Sequence, residues 1–201
     1  MDAIEKFFLK PCAVNALPQE LKDSGERPVL HLLRRDLQHL YLQEDVLQPN
    51  GQNEHKAPYL ATMGILTGID LMAKFYCGQG RKKASGRIFK KFLIDIGELS
   101  SSEADFAWKF RNALHHSYSL HINERLLGNI IFTTAISGHA SWHTSDGQVD
   151  YINFWNLKAL FLKLIVKYHE RLRTSITLKH KFADEYEQAG RIFVQGQDKR
   201  G

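Results

Sequence analysis

Apolar residues recur along much of this chain at the three- and four-residue intervals of a helix. Leu30, Leu33, Leu37, Leu40 and Tyr41 set the first such series, and Pro28 suits its opening because a first helical residue needs no N–H donor. Residues 48–57 read QPNGQNEHKA, which is loop chemistry. The next series, 58–77, is apolar nearly all round, with Thr67, Asp70 and Lys74 as its narrow polar stripe and Gly78 at its end. That pattern predicts a helix central in a bundle. Gly64 and Gly68 within it leave room for a neighbour to pack closely. A third helix is expected over about 83–99, with Ile88, Phe89, Phe92 and Ile96 inward and a basic outer face. Ser101 or Ser102 then suits the cap of a fourth helix, whose first turn holds Glu103 and Asp105 and whose core face holds Phe106, Phe110, Ala113 and Leu114.

Beyond Tyr118 the period shortens toward two. Ile130, Phe132, Thr134 and Ile136 alternate, and residues 142–145 and 148–152 flank Asp146-Gly147, the two-residue signal of a tight hairpin. A last long helix is expected over 154–174, apolar on most sides, with one more short turn or helix over 182–190. The whole predicts a single mainly α domain, 1–201, with residues 1–26 as an N-terminal arm packed on the body and 191–201 as a flexible tail. No internal repeat is seen.

Composition narrows the class. A chain of 201 residues with 43% hydrophobic and 24% charged residues has the make-up of a folded globule rather than a disordered or fibrous chain. Its 27 Lys and Arg against 22 Asp and Glu give +5, which favours an anionic partner. Cys12 and Cys77 are too few for a disulfide scaffold, so a reducing compartment is expected. The first residues lack the uninterrupted apolar stretch of a signal peptide, and the apolar run 154–166 is broken by Asn156, Lys158 and Lys163. The expectation is a soluble cytoplasmic protein without a membrane partner.

Several chemistries fail on spacing. Gly78, Gly80 and Gly86 fit neither a phosphate loop nor a dinucleotide fingerprint, since Arg87-Ile88 stands where Lys-Ser/Thr belongs and Lys83 where a third glycine belongs. His139 and His143, with His115, His116 or His121, offer imidazoles for a metal-dependent enzyme, but solvated surface histidines are the expected reading. No metal and no cofactor is assigned.

The informative stretch is 106–121, FAWKFRNALHHSYSLH. Arg111 is followed directly by Asn112, and His116 lies five residues beyond Arg111. Arg34 with His39 and Arg173 with His180 have similar spacing, but neither Arg is followed by Asn. At about 100° per residue, with the core face centred on Phe106 and Phe110, Arg111 falls on one flank and His116 on the other, while Asn112 and His115 point away. Asn112 stands one turn before His116 and is placed to orient its imidazole; Arg111 and His115 form a similar pair. Asp70 is a further candidate to orient His116, although Lys74 four residues on makes a surface ion pair the expected reading.

This stretch resembles the motif of the HEPN superfamily, an Arg followed by a polar residue and then a His four to six residues beyond. More loosely, the resemblance extends over 58–174. It implies a HEPN-like helical bundle with a small β-hairpin between the motif helix and the last long helix. It also implies a homodimer that brings Arg111 and His116 of two subunits to one site, with Asn112 as the orienting residue, RNA as substrate and cleavage independent of metal. A neutral imidazole takes the proton of a 2′-hydroxyl as that oxygen attacks phosphorus, and a guanidinium holds the phosphoryl oxygens as charge builds. The products are a 2′,3′-cyclic phosphate and a 5′-hydroxyl. A toxin or defence role, with an antitoxin or other protein partner, belongs to the same expectation. Upstream, Arg81, Lys82, Lys83, Arg87, Lys90 and Lys91 place six cations within 11 residues, suited together with His115 to bind an RNA backbone. A solvated helix face is the competing reading. The alternative function is a non-catalytic helical module of the same kind, binding RNA or a protein partner, in which the motif residues serve structure.

Overall fold

A computed structural model describes residues 1–40, 58–78, 86–117, 121–122, 125–126, 129–133 and 141–193 of the chain. The protein is mainly helical. An N-terminal segment carries α1 (Ala3–Phe7), a 3-10 turn (Val14–Ala16), α2 (Gln19–Ser24) and β1 (Glu26–Pro28). The long helices follow: α3 (Val29–Leu40), α4 (Pro58–Cys77), α5 (Gly86–Asp95) and α6 (Ser101–Ser117). Short strands β2 (His121–Ile122), β3 (Arg125–Leu126), β4 (Asn129–Thr133), β5 (His143–Ser145) and β6 (Val149–Asn153) precede α7 (Phe154–Thr174), α8 (Ile176–Ala189) and β7 (Arg191–Phe193).

Helix α4 is the hub, packing against α3, α5, α6, α7 and α8. Its nearly uniform apolar surface is thereby explained: Ile65, Leu66, Ile69, Met72, Ala73 and Phe75 are all buried. The glycine pair sits where neighbours come closest. A Cβ at Gly64 would lie 2.4 Å from Leu37 of α3, and one at Gly68 would lie 2.6 Å from Phe161 of α7. Among the described residues, α4 is the one helix long and apolar enough to cross a membrane by length and composition, and 56% of its most apolar window is buried inside this fold.

Local signals account for the other boundaries. Asn153 ends β6 and also caps α7, its side chain accepting from the Asn156 N–H, while Ser175 closes α7 and caps α8 through Leu178. The cap of α6 is Ser100 rather than Ser101 or Ser102. Its hydroxyl accepts from the Glu103 N–H at 3.2 Å, and the Glu103 carboxylate accepts from the Ser100 N–H at 2.9 Å, a reciprocal capping box. Helix α5 ends at Asp95, short of residue 99, because Gly97 and then Glu98, in the left-handed region at φ 59°, turn the chain toward α6. Pro28 closes β1, and the first long helix starts one residue later.

The sheets exceed the expected hairpin. β5 and β6 do form it antiparallel around Asp146-Gly147, with Gly147 at φ 89°, and β4 joins β6 in parallel to give the order β4-β6-β5. Residues Thr134, Ile136 and His139 lie outside the described residues. A second small sheet pairs β1 with β7 antiparallel, so Arg191–Phe193 is a strand and not part of a flexible tail. Helix α8 is also longer than the short element expected over 182–190. Phe182 and Tyr186 on α8 meet Phe7 of α1 and Phe75 of α4, with the rings of Phe7 and Phe75 4.7 Å apart and those of Phe7 and Phe182 5.2 Å apart. Each such ring, taken wholly out of water, contributes about 1.5–3 kcal/mol. The N-terminal segment is therefore seated on the body through its aromatic side chains.

Candidate functional site

The motif residues lie on the last two turns of α6, against the polar stripe of α4. Arg111 is about one-fifth exposed and donates from Nη2 to Asp70 Oδ2 at 3.1 Å and from Nη1 to Asn112 Oδ1 at 3.1 Å. Its guanidinium carbon lies 5.3 Å from the centre of the Trp108 ring, within cation–π range. Trp108 in turn packs on Phe89 of α5. The arginine is thus held between a carboxylate below and an indole beside it.

Asp70 is not a surface pair with Lys74. Its side chain is only 5% exposed, and it holds both cations, Lys74 at 3.4 Å and Arg111 at 3.1 Å. A carboxylate out of water needs such compensation, and α4 presents Asp70 at a point where its polar stripe is roofed by α6. Arg111 Nε and Asp70 Oδ1 are both buried without a hydrogen-bond partner among the described residues. Those are the two atoms that would complete a bidentate fork between the side chains.

His115 does not point away from the bundle. Its Nε2 lies 3.2 Å from the hydroxyl of Thr67 on α4, which itself donates to the Met63 carbonyl at 2.8 Å. Arg111 and His115, one turn apart, thus face Asp70 and Thr67, one turn apart on α4. Asn112 accepts from Arg111 Nη1 through its amide oxygen. Helix α6 includes His116, but its side chain lies outside the described residues.

The upstream cations divide. Arg81, Lys82 and Lys83 lie outside the described residues. On α5, Lys90 pairs with Asp105 at 3.0 Å and Lys91 with Asp95 at 2.6 Å, while Lys109 also reaches Asp105 at 2.9 Å. Asp105, in the first turn of α6, is held below the usual carboxylate range by its hydrogen bonds from Lys109 and Lys90. Much of the α5 basic face is therefore matched to carboxylates. Arg87 has no ion pair among the described residues.

Two of the histidines weighed as metal donors, His115 and His143, have other partners. His143 on β5 lies 2.8 Å from the Asp150 carboxylate on β6 and stacks on Phe106 of α6, ring centres 3.8 Å apart. That pair docks the hairpin on the Phe106–Phe110 face of the motif helix. The side chains of His116 and His121, and all of His139, lie outside the described residues, among which no group of three or more His, Cys, Asp or Glu stands ready to hold a metal. The Asp70–Arg111 pairing was the feature sequence spacing missed. The partners are 41 residues apart, and the only available signal was an acid on the polar stripe of an otherwise apolar helix.

Comparison with protein-family models, curated proteins and solved structures finds no match to the chain.

Proposed function

We propose that the chain is a HEPN-like endoribonuclease that cleaves RNA without a metal, leaving a 2′,3′-cyclic phosphate and a 5′-hydroxyl. The observation that carries this reading is the buried Asp70 carboxylate anchoring Arg111 on the helix that also carries His116. A guanidinium tied down from behind pays less ordering entropy when it takes a phosphoryl oxygen, and its charge is permanent. Trp108 fixes the plane of the same group. Lys74, about one-third exposed on the adjoining turn of α4, adds a second positive charge that offsets Asp70. In this scheme His116 accepts the 2′-hydroxyl proton, Arg111 steadies the charge building on the phosphoryl oxygens, and the leaving 5′-oxygen takes a proton from water, the hydroxide so formed being neutralised by the proton His116 then releases. His115 contacts the neighbouring strand. A second copy of the chain supplies the facing half of the cleft, and an antitoxin or other protein partner would act by covering it.

The test is incubation of purified protein with RNA in EDTA, beside Arg111→Ala and His116→Ala. Loss of the imidazole is expected to slow cleavage by about 100- to 10,000-fold. Equal cleavage by all three proteins would overturn the proposal.

One observation favours a second reading, a non-catalytic RNA- or protein-binding module. Arg111 already spends Nη1 on Asn112 and Nη2 on Asp70, which is how a purely structural arginine behaves. RNA retained in a salt-dependent manner and recovered uncut would support this reading over the enzymatic one.

A further inference from the structure

A cleft of about 530 Å³ opens between the C-terminal end of α4 and the first turns of α5 and α8. Its volume is in the range of about 300–1,000 Å³ typical of small-molecule sites. Three cations line it from two helices: Arg87 and Lys91 one turn apart on α5, and Lys181 on α8. Ile88 and Leu178 supply an apolar wall, and Tyr76 and Cys77, the last residues of α4, close the third side. Gly78, at φ 68°, lets the chain leave α4 alongside Lys181, 3.7 Å from where its Cβ would stand.

Charge separates this cleft from an ordinary solvated surface. Among the described residues, Asp95 is the carboxylate bonded to the cleft's Tyr76 and Lys91, accepting at 2.8 Å and 2.6 Å, and so is already engaged. Asp95 does not line the cleft but a neighbouring depression of about 350 Å³. Arg87 and Lys181 have no ion pair among the described residues. Among the described residues, three cations against one carboxylate leave a surplus of two positive charges. The thiol of Cys77 is pushed up by burial, so it presents a neutral wall at physiological pH. Arg87 and Ile88 stand in the first turn of α5, which adds the positive end of that helix to the same side.

We propose that this cleft binds a small phosphate monoester, with the phosphoryl dianion held by Arg87, Lys91 and Lys181 and the organic body resting on Ile88 and Leu178. A dianion matches the surplus charge, whereas a carboxylate would leave one charge unmatched. The planar fork of Arg87 suits two phosphoryl oxygens, and the two lysines act as point charges. The apolar wall distinguishes an ester from free phosphate. This site stands apart from Arg111 and does not depend on the ribonuclease reading.

Cys77 provides a reporter. In a Cys12→Ser background, glycerol 3-phosphate, AMP, inorganic phosphate and a short RNA lacking terminal phosphates are each titrated against the full chain. Binding is followed by calorimetry and by the rate at which iodoacetamide alkylates Cys77. The two monoesters are expected to bind saturably and slow alkylation, with inorganic phosphate weaker. Which monoester binds more tightly identifies the source of the phosphoryl group. Arg87→Ala and Lys181→Ala, both at exposed positions, are each expected to weaken binding by about tenfold or more. Arg111→Ala should bind as the parent does. Absence of saturable monoester binding, affinity unchanged by Arg87→Ala together with Lys181→Ala, or equal protection by the RNA lacking terminal phosphates would each overturn the proposal.

Discussion

Replacing Asp70 with Asn keeps the shape of the side chain and removes the charge that holds Arg111 and Lys74. Both cations would then face a neutral amide. The hydrogen bond from a charged donor contributes about 1.5–3 kcal/mol, and a loss of that size is expected for Asp70→Asn in urea denaturation. On the enzymatic reading the same variant also loses cleavage, because Arg111 is no longer held from behind. Tyr168 offers the opposite case. Its ring sits in the core between Phe92 and Phe8, and its hydroxyl is buried without a hydrogen-bond partner among the described residues. Burial pushes the ionisation of that hydroxyl far upward. An unsatisfied buried oxygen costs free energy that a phenylalanine would not, so Tyr168→Phe is expected to leave the melting temperature unchanged or raise it.

Among the elements, the capping box of α6 matters most to the site, since it fixes where the motif helix starts. Ser100→Ala removes the acceptor for the Glu103 N–H and is expected to cost about 1 kcal/mol, read as a lower midpoint in chemical denaturation. Sequence spacing foretold α4 and α7 to within a residue because each is apolar on most sides, with Pro58 and Gly78 marking the ends of the first, while the Asn153 and Ser175 caps of the second emerged only in the structure. The Asp146-Gly147 hairpin was legible for the same local reason. Strands β1 and β7 were not, since each is three residues long and exists only because segments far apart in the chain meet. The parallel partnership of β4 with β6 is equally invisible to a period-two pattern. At the candidate site, the face of α6 could be sketched from helical geometry. The assignment of Asp70 to Lys74 followed a four-residue rule that was correct as far as it went, and it missed the stronger demand of a buried carboxylate for a second cation from another helix.

Across the whole molecule, Glu26 is a junction. It is 3% exposed and receives Lys6 of α1 at 3.1 Å, the Tyr186 hydroxyl of α8 at 2.7 Å and, at 3.6 Å, Arg191 of β7. Burial pushes its carboxyl upward, but the hydrogen bonds from Tyr186 and Lys6 and the charges of Lys6 and Arg191 outweigh this and hold it below 4.5. A depressed carboxyl favours the folded state above its unfolded value. That contribution is lost as pH falls from about 4.5 through the lower folded value. Glu26→Gln is expected to cost about 3 kcal/mol at neutral pH and to lose less further stability than the parent between pH 5 and pH 3, as measured by urea unfolding at each pH.

The joining of β1 to β7, and of Phe7 to Phe182 and Tyr186, has a consequence for biosynthesis. The ribosome releases Phe7 and Phe8 well before Phe182 and Tyr186 of α8, which cover them. Until then the nascent polypeptide displays two bare benzyl groups, a stretch suited to capture by a chaperone, and the native seat for α1 is completed only after residue 193 has been translated.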